Sequence, residues 1–566
     1  MSLSLMISLS ICAILHAALA QSSSSSQSSS SSTRLRVEYI DSPLTIDVPT
    51  PRFSYALVHS NRGEVQTAYH IVVQRILPGS EPQTVWDSSL VTSSTSLNIP
   101  YGSSTTPLVS DSDYLWTITW ADSTGTLSTP VTGTFSTSWL GGEKEFSVAD
   151  WISSTSDTQN TYRTEFTLPT TQAEFPVRAR MYITGLGYAK TWINGQLTDD
   201  HELGQFTTFQ QRTLYDVVDL TSQIRMGCNS LGVMLGVGWF AQDSIKAGPR
   251  QFRLVLSFTD STGKVTLMAS KNTGTSSDLV FKAIAGPVTA DDIYNGETYD
   301  ARIAANISGW LSCGYNDASW SSTIIPTITP TSFNAVISSH AVLIKTDRTY
   351  SVTPGGITQP TDTAYVFDFG QNMAGQTLLR VEDCPAGTII TLIHNEILNV
   401  DGTVNRNLAK MVGTYICSGV GGIEEYRTLF TYYGFRYVQI EGYPGIPGEE
   451  AITAFFIHSD VPQSGEFMSS NLLLNKIQHA TRFASWSNLM DIPTDCPQRE
   501  RRGWLGDAQL SFETVIHNVD GGGFYTKWLN DFADTQVYDN RTMNTDGALP
   551  DCIPFYGHGH PSADPG

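Results

Sequence analysis

Charge is scarce in this chain, and positive charge is scarcest: 15% of its 566 residues are charged, and 33 Lys+Arg stand against 54 Asp+Glu for a formal net charge of −21. A surface of that sign repels polyanions, so no nucleic-acid partner is expected, and neutral or cationic ligands fit better. The shortage of Lys and Glu also argues against long solvated helices and for a β-rich protein. Beyond the first twenty residues nothing approaches the roughly 18 consecutive apolar residues that cross a bilayer, which excludes a later membrane-spanning helix. The seven cysteines are widely and irregularly spaced with no C-x-x-C, so neither a zinc site nor a dense disulfide framework is indicated.

Length and texture come next. At ~100–200 residues per domain, 566 residues predict three to five domains. Residues 1–20, MSLSLMISLSICAILHAALA, contain no Asp, Glu, Lys or Arg and end in Ala18-Leu19-Ala20, the small-x-small pattern of a signal-peptidase site. The expectation is a secreted, extracellular protein. Loss of Cys12 with that segment leaves Cys228, Cys313, Cys384, Cys417, Cys496 and Cys552, an even number that permits disulfides whose pairing the sequence does not fix. The sequons Asn306-Ile307-Ser308 and Asn540-Arg541-Thr542 are compatible with a secreted glycoprotein. Residues 21–33 are a Ser-rich tether, with ordered structure expected from about Thr33.

From 34 to 140, short alternating runs such as RLRVEYI, YHIVVQRI and YLWTITWA are separated by Ser/Thr/Pro/Gly turns, as in an antiparallel sandwich. Trp116 and Trp120 share one face of a strand and are expected in its core. A second β-rich block spans 150–330 and a third 341–460. At Glu466 the pattern turns helical to the end of the chain. Ser470 or Asn471 is placed to cap a helix whose apolar stripe is Leu473, Ile477, Ala480 and Ala484, and Phe524, Trp528 and Phe532 recur at spacings of four.

Between the first two helical patterns lies DIPTDCPQRERRGWLGD, residues 491–507. Pro493 and Pro497 disfavour helix before them, so this is a loop. From Asp495 to Asp507 it gathers three carboxylates (Asp495, Glu500, Asp507), three arginines (Arg499, Arg501, Arg502) and Trp504. Carboxylates for proton transfer and hydroxyl recognition, beside an indole face that stacks on a pyranose, make a candidate sugar site. An ion-paired structural loop, with the arginines neutralising the acids, is the competing reading.

The same string resembles the signature of the α-L-rhamnosidases of glycoside hydrolase family 78. That signature usually runs Asp-Cys-Pro-Gln-Arg, one or two acids, then Arg-x-Gly-Trp-Thr-Gly-Asp. RVEYIDSPLTIDVPTPRFSY, TGLGYAKTWINGQ, YNGETYDAR, FDFGQNMAGQ and LFTYYGFRYVQIEG are similar to the same family, so the resemblance covers nearly all of 34–566. It implies three successive antiparallel β-sandwich domains, fibronectin/Ig-like, carbohydrate-binding-like and concanavalin-like, followed by the opening helices of an (α/α)6 barrel in 466–566. It also implies inverting hydrolysis of terminal non-reducing α-L-rhamnosyl residues of glycosides or polysaccharides, without cofactor or metal. By motif position Glu500 is the general acid, Asp495 and Asp507 hold sugar hydroxyls, Arg499 fixes acid and sugar, and Trp504 stacks on the ring. The arginines beside Glu500 would lower its pKa if they faced it, so either they point elsewhere or a nearby carboxylate compensates.

Two departures follow. Leu505 replaces the usual Thr, and the family's general base, a glutamate far downstream, has no counterpart before residue 566. The chain as given is therefore expected to be C-terminally truncated and catalytically incomplete. The alternative function is a secreted, non-catalytic rhamnoside-binding protein. Three lesser features are expected to be structural: the His558-Gly559-His560 pair, Glu396 and Asp401 in a turn between strands, and the acidic turn Asp291–Glu297, read as solvated and not as a calcium loop. Should the C-terminus fail to fold, Phe524, Trp528 and Phe532 would be left exposed.

Overall fold

The computed structural model describes residues 30–102, 106–199, 201–275, 277–333, 335–407, 409–537 and 548–557. Residues 1–20, most of the Ser-rich tether, the Asn540 sequon and the His558/His560 pair lie outside the described residues. Asn306, in the other sequon, is exposed at the end of the short helix Ala301–Asn306. Among the described residues no helix is long and apolar enough to cross a membrane.

The first block pairs a four-stranded with a five-stranded sheet. Ser30 is already ordered, and Ser31, Ser32 and Thr33 belong to the strand Ser31–Val37, whose partner is Arg52–Val58. The tether thus ends earlier than its composition suggests, because a strand needs only backbone donors and acceptors, which serine supplies as well as valine. Trp116 and Trp120 lie on one face of Ser112–Ala121 and are buried, and the Trp120 indole donates to Ser31 O at 2.8 Å.

The second block packs two six-stranded sheets face to face. The strand Gln251–Thr259 is buried along its whole length. Phe252, Leu254, Leu256 and Phe258 fill the space between the sheets, while Val255 meets Trp139 and Phe146 of the connecting segment on the outer face.

The third block is one ten-stranded sheet, continuous because the strand Ala364–Glu382 serves two layers. Its first half pairs with Tyr433–Glu441, and its second half with Ile452–Ser459 and Ile423–Arg427. The sheets are not purely antiparallel. Gly296–Asp300 runs parallel to Val412–Ile416, Arg212–Asp219 parallel to Val336–Ser339, and Val265–Lys271 parallel to Leu279–Val280. The first two pairings cross the boundary near residue 330. The YNGETYDAR segment adds strands to the third sheet, and the segment after residue 335 returns to close the second.

Three helices follow: α1 (Leu472–Ser487), α2 (Leu505–Asn518) and α3 (Gly522–Val537). Asn471 caps α1, its side chain accepting from Leu473 N at 2.9 Å. The stripe read from the sequence is the exposed one: Leu473 is 64% and Ile477 52% exposed. The buried stripe carries Phe483 and Trp486, stacked on Phe456 and His458 of the ten-stranded sheet. The sheet offers the rings of Phe456 and His458, on which Phe483 and Trp486 stack, and aromatic pairs gain from that geometry beyond the area they bury. Phe524 and Trp528 are buried and Phe532 half-buried. The exposed apolar residues of α2 and α3 are instead Leu510, Phe512, Ile516 and Leu529.

Disulfides join Cys228 to Cys313 and Cys384 to Cys417, whereas Cys496 and Cys552 are free thiols.

Candidate active site

After α1 the chain makes a tight pair, Leu489–Met490 with Ile492–Pro493, turns through residues 497–500, and enters α2 at Trp504. The turn is closed across its base: Asp495 N donates to Arg502 O at 3.0 Å and Arg502 N to Asp495 Oδ1 at 2.9 Å. Neighbouring segments press against it where glycine leaves room. A Cβ on Gly503 would lie 2.1 Å from Ile553 O, and one on Gly434 would lie 2.9 Å from the Gln498 backbone.

The three arginines separate. Arg499 Nη2 donates to Glu500 Oε1 at 2.8 Å from a largely exposed side chain. Arg501, with positive φ (55°), is fully buried: Nε donates to Pro497 O at 2.9 Å, Nη1 donates to Ile293 O, and the guanidinium lies 4.2 Å from the Tyr432 ring centre. Those contacts hold a left-handed backbone that a non-glycine residue otherwise avoids. Arg502 is buried over Trp239 and donates to Ser244 Oγ at 3.1 Å. Among the described residues, only Arg499 of the three pairs with a carboxylate, so an ion-paired loop accounts for one arginine. Of the two arginines flanking Glu500, Arg501 points elsewhere and Arg499 does not, because its position just before the acid in an exposed turn lets its side chain fold back.

Glu500 accepts from Trp504 Nε1 through Oε2 at 2.9 Å, so acid and indole fix each other. Asp495 is half-buried, and its carboxyl stands above the ordinary range because burial and the nearby Glu500 charge outweigh the Cys496 and Arg502 N–H bonds. Asp507 is exposed in the first turn of α2. Among the described residues it bonds to none of Asp495, Arg499 or Glu500. It lies across Trp504, on a groove of about 820 Å³ also lined by Leu505, Phe512, Tyr525, Trp528 and Phe532. The structure therefore brings together Asp495, Arg499, Glu500 and Trp504, and sets Asp507 on an adjoining wall.

The carboxylate of Glu396 reaches the loop from the third block. It accepts from Gln498 Nε2 at 3.1 Å and Asn372 Nδ2 at 2.9 Å. Asp401 does cap its own turn, accepting from Thr403 N and Oγ1. The turn at 291–297 is not a solvated acidic one. Asp291 accepts from Val237 N, and Glu297 accepts from Leu429 N, Phe430 N and the Tyr426 hydroxyl; both are buried. Packing of the third sheet against Phe430 and Tyr432 covers them, and burial pushes them up to about 6 and about 8.

Sequence reasoning missed the support beneath the loop. Asp491 is buried and accepts from His340 Nε2 at 2.9 Å, from Lys527 Nζ at 2.9 Å and from Phe206 N at 2.5 Å. His340 Nδ1 faces Asp216 at 3.1 Å, and Asp216 also meets His201 Nδ1 at 3.1 Å. Lys527 reaches Asp531 at 3.0 Å. His201, Asp216 and His340 are close enough to hold a metal ion. Both His340 ring nitrogens face carboxylates, Nδ1 toward Asp216 and Nε2 toward Asp491, and these raise its pKa to about 9 against the cost of its burial. Only the Lys527/Asp531 spacing of four on a helix was a local signal.

The chain matches four family models, described as a Rha78A-like N-terminal immunoglobulin domain (32–141), an alpha-L-rhamnosidase N-terminal domain (174–357), a bacterial alpha-L-rhamnosidase concanavalin-like domain (358–458) and a bacterial alpha-L-rhamnosidase 6 hairpin glycosidase domain (462–565). An alpha-L-rhamnosidase of Formosa agariphila is 30% identical over 540 residues, 89% of this chain and 55% of that protein. The solved alpha-L-rhamnosidase of Dictyoglumus thermophilum superposes with a TM-score of 0.83 at 33% identity, covering 94% of this chain and 60% of that one. That of Aspergillus terreus gives 0.82 at 28% identity with the same coverages. The chain thus spans little more than half the length of these relatives. With every block matched in order and the signature loop folded around Glu500 and Trp504, the chain belongs to the α-L-rhamnosidase family.

Proposed function

We propose that these residues form the acid half of an inverting α-L-rhamnosidase acting on terminal α-L-rhamnosyl groups of glycosides or polysaccharides, built as β-sandwich modules ahead of an (α/α)6 barrel. The observation that carries the reading is the Trp504–Glu500–Arg499 contact: a carboxyl oriented by an indole N–H on one oxygen and by an exchangeable, exposed guanidinium on the other. Glu500 protonates the leaving oxygen, Trp504 presents its face to the pyranose, and Asp495 takes sugar hydroxyls. Displacement of Arg499 from Oε1 toward the sugar frees the oxygen that must carry the proton. Asp507 meets the substrate from the groove side.

Inversion needs a second carboxylate ~6.5–9.5 Å from the acid to activate water. The family resemblance expects it in the stretch of the relatives that these 566 residues do not span. Both disulfides support an oxidising compartment, in keeping with secretion.

Hydrolysis of an aryl α-L-rhamnoside, with released sugar followed by NMR, tests the reading beside calorimetric titration with L-rhamnose. Residues 21–566 are expected to bind rhamnose with little or no turnover, and in any form that carries the second carboxylate Glu500→Gln is expected to lower kcat at least about 100-fold while changing rhamnose affinity less than about threefold. Binding without turnover in a form that carries the second carboxylate would leave the carbohydrate-binding alternative standing, and neither binding nor turnover there would overturn both.

A further inference from the structure

Between the Asp495 carboxylate and the Glu500 backbone lies a free thiol with no assigned role. Cys496 is half-buried, and its Sγ is 2.9 Å from Asp495 Oδ2 and 3.3 Å from Glu500 N. The directions of these bonds are fixed by chemistry. The carboxylate can only accept, so the S–H donates to Asp495; the amide can only donate, so the sulfur accepts from Glu500. The thiol therefore links the side chain of one site residue to the backbone of the other across the turn that carries Arg499.

We propose that Cys496 is a positioning residue that holds the Asp495 carboxylate and the Glu500 backbone in fixed relation, and that it does so as a weak donor so that Asp495 stays free to accept a sugar hydroxyl. This rests on the reading of Asp495 and Glu500 as a sugar site. A thiol is a poorer hydrogen-bond donor than a hydroxyl. It orients Asp495 Oδ2 without saturating it, while Oδ1 is already taken by Arg502 N. The other titratable group facing the sulfur from a neighbouring element is Tyr432 of the third block, whose ring lies under the Arg501 guanidinium. Burial and the Asp495 bond both raise the thiol above its ordinary range, which keeps it protonated and donating at neutral pH.

The test begins with a measurement independent of turnover. The rate of Cys496 carboxamidomethylation by iodoacetamide is followed by peptide mass spectrometry from pH 6 to 10, in the parent and in Asp495→Asn. Cys552, the other free thiol, is read on its own peptide. Removal of the Asp495 charge is expected to move the Cys496 profile to lower pH by about one unit, and an unmoved profile overturns the proposal. Titration with L-rhamnose then compares Cys496→Ser, whose stronger donor occupies Asp495 Oδ2 and is expected to weaken binding about threefold, with Cys496→Ala, expected about tenfold weaker at unchanged circular dichroism. A Cys496→Ala variant that binds like the parent also overturns it. If the parent binds no rhamnose, the sugar-site reading fails, while the alkylation profiles still decide whether thiol and carboxylate are coupled.

Discussion

Asp491 and Glu297 are both buried carboxyls, 3% and 2% exposed, yet their surroundings move them in opposite directions. Asp491 meets two cations, Lys527 and His340, which together overcome its desolvation and hold it well below the usual carboxylate range. Glu297 meets only dipoles, two backbone N–H groups and a phenol, with Asp291 nearby adding repulsion, and it is pushed up to about 8. Burial alone decides neither case. The difference is whether another element, here α3 and the segment after residue 335, delivers a full positive charge.

The comparison breaks hardest at Asp491. Asp491→Asn leaves the His340 and Lys527 cations buried without their shared anion, and a loss of about 3–5 kcal/mol in urea unfolding is expected. Its depressed pKa adds stability that is present above the ordinary aspartate value and is lost as pH falls, so the variant should also lack the parent's acid limb. An unfolding midpoint equal to that of the parent would show that the cations find other partners.

His340 sharpens the same comparison from the cation's side. Its pKa is raised from 6.5 to about 9, so its contribution is complete below 6.5 and disappears as pH rises through about 9. Thermal unfolding between pH 6.5 and 9 should fall in the parent and be flatter in His340→Gln, with a difference of about 2–3 kcal/mol at the acid end. Parallel profiles would remove His340 from the account.

The smallest loss on substitution belongs to Glu297. With a folded pKa raised from 4.5 to about 8, stability is greatest below 4.5 and declines until pH passes about 8. Glu297→Gln keeps an acceptor for Leu429 N and Phe430 N and cannot ionise. It should sit within about 1 kcal/mol of the parent below pH 4.5 and become the more stable of the two as pH rises toward 8, where only the parent declines. A large loss at pH 7 would mean that the ionised form is the one the fold requires.

What the sequence made legible tracks how local the determining physics is. The loop at 491–507, the Asn471 cap and the buried Trp116/Trp120 face depend on neighbours within a few residues, and those were readable. The exposed face of α1 was misjudged because both stripes are apolar and only the ten-stranded sheet selects Phe483 and Trp486. The Asp491 support joins residues 216, 340, 491 and 527, and the Glu396–Gln498 contact crosses from the third block into the loop, so neither leaves a spacing to recognise. Cys496 was visible as a letter of the signature, but its part in the site emerged only when the turn brought Asp495 and Glu500 to either side of its sulfur.

The strand exchange across residue 330 bears on how the polypeptide reaches this state during synthesis. Gly296–Asp300 pairs at once with Val288–Asp292, but its other edge waits for Val412–Ile416, more than a hundred residues later, and Arg212–Asp219, already beside Arg178–Leu186, waits in the same way for Val336–Ser339. At ~5–20 residues per second the first of these edges stays open for on the order of 10 s on the ribosome. For that interval the growing chain carries an open strand edge, and a chaperone that shields strand edges has its longest opportunity there. Any attempt to lift the second or third block out as an independent module has to carry the borrowed strand with it.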